Sequence, residues 1–303
     1  MPLRPAPISG AELDQRVAEI ADHYGIVVKR ARSLITGLVV AQMLPDSLVV
    51  KGGQGIRIRR GVVNVRATPD LDVVLSGASS HEQFVQDLSS RLEQGWGSVP
   101  PSKTSLKKDA GASVRIAFTG EVRPEKRRVP VDVPEHYVMQ PYKIRLDFLG
   151  TPWSTVPLEV GHDELDLALT AVYTESADAD YLTEELGLGT LGPVRLIAVE
   201  NQLAQKIHAL TEPGSKRMHD LVDIQLLWTD DVDLELLSLT CERTFAFRKG
   251  HAWPVTGFAP STVAHSDIYG AAREQTDLDG DSEILTDLGS AVIWLNDKLA
   301  ELP

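Results

Sequence analysis

The chain has 303 residues, enough for one large domain or two of ordinary size. Its charged content of 24% and hydrophobic content of 43% suit a soluble globular protein, and no run approaches roughly eighteen uninterrupted apolar residues, which argues against a membrane span. The net charge of −13 excludes a uniformly basic nucleic-acid binder, and the single Cys241 excludes an internal disulfide and fits a reducing cytoplasm. The opening Met1-Pro2-Leu3-Arg4-Pro5 lacks the apolar core of a signal peptide.

Ser9 followed by Glu12 has capping-box spacing, and Leu13, Val17, Ile20 and Ala21 recur at helical intervals until Gly25. A second helix is predicted over 28–43, stopped by Pro45, and 47–51 reads as a short strand leading into Gly52-Gly53. Ile56-Arg57-Ile58-Arg59 alternates and is read as a half-exposed strand turned at Arg60-Gly61. A buried strand over 71–75 and an amphipathic helix over 81–94 come next, then a loop over 95–109. Strands follow over 112–118, 129–133, 142–148 and 156–160, the last two flanking Gly150-Thr151-Pro152 as a hairpin. The stretch 163–192 is acidic and irregular. Helices are predicted over 199–210 and 219–228, and 234–302 reads as mostly helical with a loop at Phe258-Ala259-Pro260. The fold class is mixed α/β (α+β): residues 1–198 with N-terminal helices and a mixed sheet, and a helical 199–303.

The chemistry concentrates at Lys51-Gly52-Gly53 and at Arg66-Ala67-Thr68-Pro69-Asp70-Leu71-Asp72. Residues i and i+2 of a strand project to one face, so Asp70 and Asp72 stand together. Two such carboxylates repel unless a cation lies between them, and hard oxygen ligands suit Mg²⁺. Paired metals activate an attacking hydroxyl and stabilise a leaving pyrophosphate. Adjacent glycines let backbone N–H groups approach phosphate oxygens where a Cβ would obstruct them. A third carboxylate has two candidates, Asp147 and Glu159, each in an apolar strand context, with Glu159 preferred. Lys206 borders the apolar stripe Leu203, Ile207, Leu210, where it could snorkel to water or neutralise a triphosphate. Asp220 and Asp223 share a helix face by their spacing.

Charge is unevenly distributed. Residues 51–128 carry fourteen Lys and Arg against eight Asp and Glu, a local net of +6. Arg57, Arg59, Lys107, Lys126, Arg127 and Arg128 in this stretch are the expected contacts to a polyanion, most simply RNA.

Together these segments resemble the AbiEii/AbiGii-type nucleotidyltransferase toxins of bacterial toxin–antitoxin systems, including the MenT group. The matching pieces are Lys51-Gly52-Gly53, then Arg66-x-Thr68-x-Asp70-Leu71-Asp72, then Glu200-x-x-Leu203-Ala204-x-Lys206-x-x-Ala209-Leu210, then Arg217-x-x-Asp220-Leu221-x-Asp223. They occur in the family's order and span about 10–230; 239–248 is similar to the start of its C-terminal helical part. The family's tyrosine in the Asp-Leu-Tyr-Asp helix is Val222 here. The resemblance implies a bilobed enzyme, neutralised by a cognate antitoxin protein, that adds nucleotides from an NTP to RNA, in MenT-like members to the 3′ end of tRNA. Carried onto this chain, it implies Mg²⁺ at Asp70 and Asp72, with Glu159 completing the set on the strand reading above. It implies phosphate contacts from Lys51, Gly52, Gly53, Arg66 and Thr68, a triphosphate contact from Lys206, and a catalytic or structural role for Asp220. Transfer to a protein or a small molecule, or a catalytically inactive partner-binding module, are the alternatives.

Overall fold

A computed structural model describes residues 4–303 except 64, 78–79, 102–112, 128–137, 164, 261–262 and 277–283. The chain divides into two compact units. The first comprises Met1–Val62, Thr68–Ala168 and Tyr173–Leu196; the second comprises Ile197–Pro303 with two short excursions, Val63–Ala67 and Leu169–Val172. No helix among the described residues is long and apolar enough to cross a membrane.

The first unit begins with α1 (Gly10–His23) and α2 (Val28–Ala41). Ser9 caps α1 by accepting from the Glu12 N–H, which satisfies one of the helix's orphan donors, while the Glu12 carboxylate accepts from the N–H of Ile8 just before the cap. Then come β1 (Leu48–Val50), α3 (Gly52–Arg60), β2 (Leu71–Leu75), α4 (His81–Gln94), β3 (Trp96–Val99), β4 (Arg115–Pro124), β5 (Gln140–Phe148), β6 (Thr151–His162), β7 (Val172–Thr174), α5 (Ala179–Leu186) and β8 (Val194–Leu196). The strands form one eight-stranded mixed sheet ordered β3-β4-β5-β6-β2-β1-β8-β7. β3 to β6 form an antiparallel meander, β2 runs parallel to β6, and β1 pairs antiparallel with β2 and parallel with β8. Leu149 and Gly150, with φ of 51° and 80°, make the two-residue turn of the β5–β6 hairpin, as a type I′ connection requires.

Three local expectations are corrected. Ile56–Arg59 is not a strand: it lies within α3, and Ile56, Arg57 and Ile58 are all buried. Four alternating residues cannot distinguish a half-exposed strand from a helix buried on most of its circumference. The expected loop after Gly95 contains β3, an edge strand whose Gly97 (φ 77°) weakens its sequence signature. The acidic stretch contains α5, which buries Ala179, Leu182 and Leu186 at helical spacing behind its carboxylates. The expected strand over 129–133 lies outside the described residues.

The second unit is helical: α6 (Val199–Thr211), α7 (His219–Leu227), α8 (Leu234–Arg248), α9 (Val263–Thr276) and α10 (Leu288–Ala300). α6 packs against α7 and α8, and α9 against α7 and α10. Gln225 ties these together, donating to the Tyr269 hydroxyl at 3.1 Å and accepting from the Leu285 N–H at 3.0 Å.

Candidate active site

In the first unit, β1 ends at Val50 and the chain turns through Lys51 directly into α3. Gly52 and Gly53 therefore start a helix, where the positive end of the dipole favours an anion. Gly52 has φ 61°, and a Cβ there would collide with the Asp72 carboxylate. A Cβ on Gly53 would lie 2.8 Å from the Thr68 side chain. The glycines are thus required by close packing against the acidic segment, in addition to any ligand. The Lys51 N–H donates to the Asp72 carbonyl at 2.9 Å, extending the β1–β2 ladder to the foot of the site.

Asp70 immediately precedes β2, and Asp72 is its second residue. Asp72 is in register with Glu159 of β6 in the parallel pair, so their side chains share a face. Burial raises the pKa of Glu159, and the charges of Asp72 and Asp70 raise it further against the opposing effect of Lys51. Burial also raises the pKa of Asp70. Asp147 is elsewhere: on β5 it lies six residues from Pro141, the partner of Glu159, about 20 Å along the strand. There it accepts from the Arg145 guanidinium at 3.2 and 3.3 Å.

Asp70, Asp72 and Glu159 offer oxygen donors only, with mutual repulsion that a divalent cation would relieve, and this chemistry fits Mg²⁺. Among the described residues, no three His, Cys, Asp or Glu side chains already converge into a finished metal cage. The carboxylates are electrostatically coupled but have not closed on one point.

In the second unit, Lys206 of α6 is 7% exposed, which rules out snorkelling. Its Nζ donates to Asp220 Oδ1 at 2.7 Å and Asp223 Oδ2 at 2.6 Å, both on α7. Arg217 Nε donates to Asp220 Oδ2 at 2.6 Å. Arg66 grips Asp223 through Nε at 3.1 Å and Nη2 at 2.9 Å. Burial alone would depress the Lys206 pKa, but the two carboxylates outweigh it and the ammonium is held charged. Burial would raise the Asp220 pKa, yet Lys206 and Arg217 hold it down at about 2. Among the described residues, three cations therefore enclose two carboxylates, leaving a net positive group in which Arg217 is the most exposed member.

The polyanion contacts fare unevenly. Arg57 is 1% exposed and cannot reach a nucleic acid, which corrects its assignment; its Nη2 donates inward to the Thr68 carbonyl at 3.1 Å. The reason is the helix that replaces the expected strand, which turns this residue into the core. Arg59 is half-buried and Lys126 is exposed, while Arg127 is half-buried and donates to the Val138 carbonyl. Lys107 and Arg128 lie outside the described residues. Asp178, at the entrance to α5, had no sequence signal: inside an acidic run nothing marks it, yet it accepts from the Tyr24 hydroxyl at 2.9 Å and the Val62 N–H at 3.0 Å.

The family model for the nucleotidyl transferase AbiEii toxin of type IV toxin–antitoxin systems matches residues 34–288. The chain belongs to this family. It is accordingly a nucleotidyltransferase toxin, and such a system supplies an antitoxin as its partner. Among solved structures, the nucleotidyltransferase toxin MenT4 of Mycobacterium tuberculosis is similar with a TM-score of 0.51 at 15% identity, over 95% of this chain and 90% of that one. JHP933 of Helicobacter pylori is similar with a TM-score of 0.41 at 13% identity, over 89% and 88% of the two chains. No curated protein sequence matches. The likeness to MenT4 agrees with the AbiEii toxin fold.

Proposed function

We propose that this AbiEii-family toxin is a Mg²⁺-dependent nucleotidyltransferase that adds nucleotides from an NTP to RNA, at the 3′ acceptor end of tRNA, and so blocks translation until a cognate antitoxin protein restrains it. The observation that carries the reading is the register of Asp72 with Glu159 beside Asp70, packed against the two glycines that open α3. In the reaction the acceptor hydroxyl bonds to the α-phosphorus of the triphosphate, the bond to the β-phosphate breaks, and pyrophosphate leaves. Bound Mg²⁺ supplies charge neutralisation at the phosphates and lowers the pKa of the attacking hydroxyl. Asp70, Asp72 and Glu159 would hold it. The N–H groups of Gly52 and Gly53 receive phosphate oxygens at the helix N-terminus, with Lys51 and Thr68 beside them. In the second unit the Lys206 group carries net positive charge suited to a phosphate, with Arg217 its most exposed member, while Asp220 orders the lysine.

An RNA acceptor is supported by the positive balance of 51–128, in which Lys126 is exposed. The test is to incubate the protein with Mg²⁺, total tRNA and each α-labelled triphosphate in turn. Label at tRNA 3′ ends is expected. Label in a protein or small molecule with RNA absent would replace the acceptor.

A further inference from the structure

Beneath the acidic segment lies a cation that the proposed chemistry does not use. Arg57 sits on α3 four residues after Gly53, on the same helix face, and both contact the segment that carries Asp70. Gly53 packs on the Thr68 side chain, and Arg57 Nη2 donates to the Thr68 carbonyl, two residues before Asp70. The Arg57 guanidinium is otherwise enclosed, and its Nε and Nη1 have no hydrogen-bond partner among the described residues. Around it, Asp178 supplies the opposing charge and Arg30 a like one; Arg30 itself donates to the Val62 carbonyl at 2.7 Å. A buried charge with so few bonds is a poor stabiliser, since an apolar side chain of equal volume would fill the space without desolvating an ion.

We infer that Arg57 is a positioning residue: it pins the Thr68 carbonyl to α3, and so fixes Asp70 and Asp72 relative to the Gly52-Gly53 helix start. The inference rests on the transfer reading of those carboxylates. α3 carries the phosphate-facing glycines at its first turn and this tether one turn later, so one short helix sets both halves of the first-unit site. Removing the tether leaves the strand and the glycines in place but lets the Thr68–Asp70 segment shift.

The test compares Arg57→Met and Arg57→Lys with the unmutated protein in three measurements. The melting temperature of Arg57→Met should stay within a few degrees of the parent or rise. Hydrogen exchange should show protection at Ala67, Thr68 and Asp70 falling at least tenfold in Arg57→Met, with α4 and β5 unchanged, and partly restored in Arg57→Lys. Mn²⁺ binding should weaken about tenfold in Arg57→Met, and kcat for label transfer should fall about 10- to 100-fold with KM for the triphosphate changed less than threefold. If Arg57→Met does not fold, Arg57→Lys alone decides: it must show intermediate protection and intermediate Mn²⁺ affinity. Unchanged exchange at Thr68 and Asp70 with unchanged Mn²⁺ affinity, in whichever variant folds, overturns the inference. If the unmutated protein labels no acceptor, the transfer reading fails, while exchange and Mn²⁺ binding still judge the tether.

Discussion

The two units treat buried charge in opposite ways. Near β2, burial and then the charges of Asp72 and Asp70 raise the proton affinity of Glu159, and Lys51 only partly counters them. Around α6 and α7, every carboxylate oxygen of Asp220 and Asp223 meets a cation within hydrogen-bond distance. In the first arrangement like charges crowd Glu159, and a cation arriving there would relieve them. The second is already satisfied, so its first duty is to hold two helices and the Arg66 segment together. Similar residue types are thus arranged differently, with like charges crowding Glu159 in one place and opposite charges pairing in the other.

Breaking the matched group should have the largest effect on stability. Lys206→Ala leaves two buried carboxylates short of a cation and should cost about 3–5 kcal/mol, measured as loss of protection in α6 and α7 or as a lower denaturation midpoint. Lys206→Arg should recover much of this. A Lys206→Ala protein as stable as the parent would show that the group is not cohesive. Because of this cost, lost activity in Lys206→Ala is uninformative about triphosphate binding, and the exposed Arg217 is the better probe of that role.

Breaking the carboxylate group near β2 should do the reverse. Asp72→Asn should cut label transfer on the order of 10³-fold while leaving the metal-free protein as stable or slightly more so, since one repelling charge is gone. Glu159→Gln should likewise raise the metal-free melting temperature at pH 7, and added Mg²⁺ should stabilise the parent but not these variants. A lowered melting temperature in both would mean that the carboxylates are cohesive after all.

Acid separates the two groups further. The folded pKa of Glu159 is raised, so its favourable contribution is fully present below the unfolded value of about 4.3 and is lost as pH rises through the folded one. Asp220 is depressed to about 2, so its contribution is present above about 3.9 and lost as pH falls toward 2. Burial and the charges of Arg248 and His251 depress His208 to about 4, so the second unit also loses stability between about 6.5 and 4. Acidification should therefore weaken α6 and α7 while easing the repulsion near β2, a divergence that hydrogen exchange resolves by segment. The smallest effect is expected for Arg217→Ala: Lys206 still holds Asp220, and the exposed arginine should contribute about 0.5–1 kcal/mol. A larger loss would place it in the cohesive core of the group.

Much of this arrangement is legible in the order of the residues. Alternation around Asp70 and Asp72 gives the strand, and the i,i+3 spacing of Asp220 and Asp223 gives their shared helix face. What a linear reading misses is what depends on three-dimensional partners. Lys206 borders an apolar stripe, and nothing in its helix announces two carboxylates on the next one. Arg57 looks like a surface cation because a four-residue alternation resembles a strand; only the surrounding fold makes it internal. Glu159 and Asp147 have equivalent local sequences, and the register of β5, β6 and β2 separates them.

Nucleotidyl transfer to RNA by the Asp70, Asp72 and Glu159 cluster is best tested by following α-labelled triphosphate into total tRNA with Mg²⁺, for the parent and for Asp72→Asn at matched folded concentration. Labelled tRNA is expected with the parent, together with loss of label on chelating the metal and a drop on the order of 10³-fold in Asp72→Asn. Equal labelling by parent and variant, or labelling that persists without divalent metal, would refute transfer by this cluster.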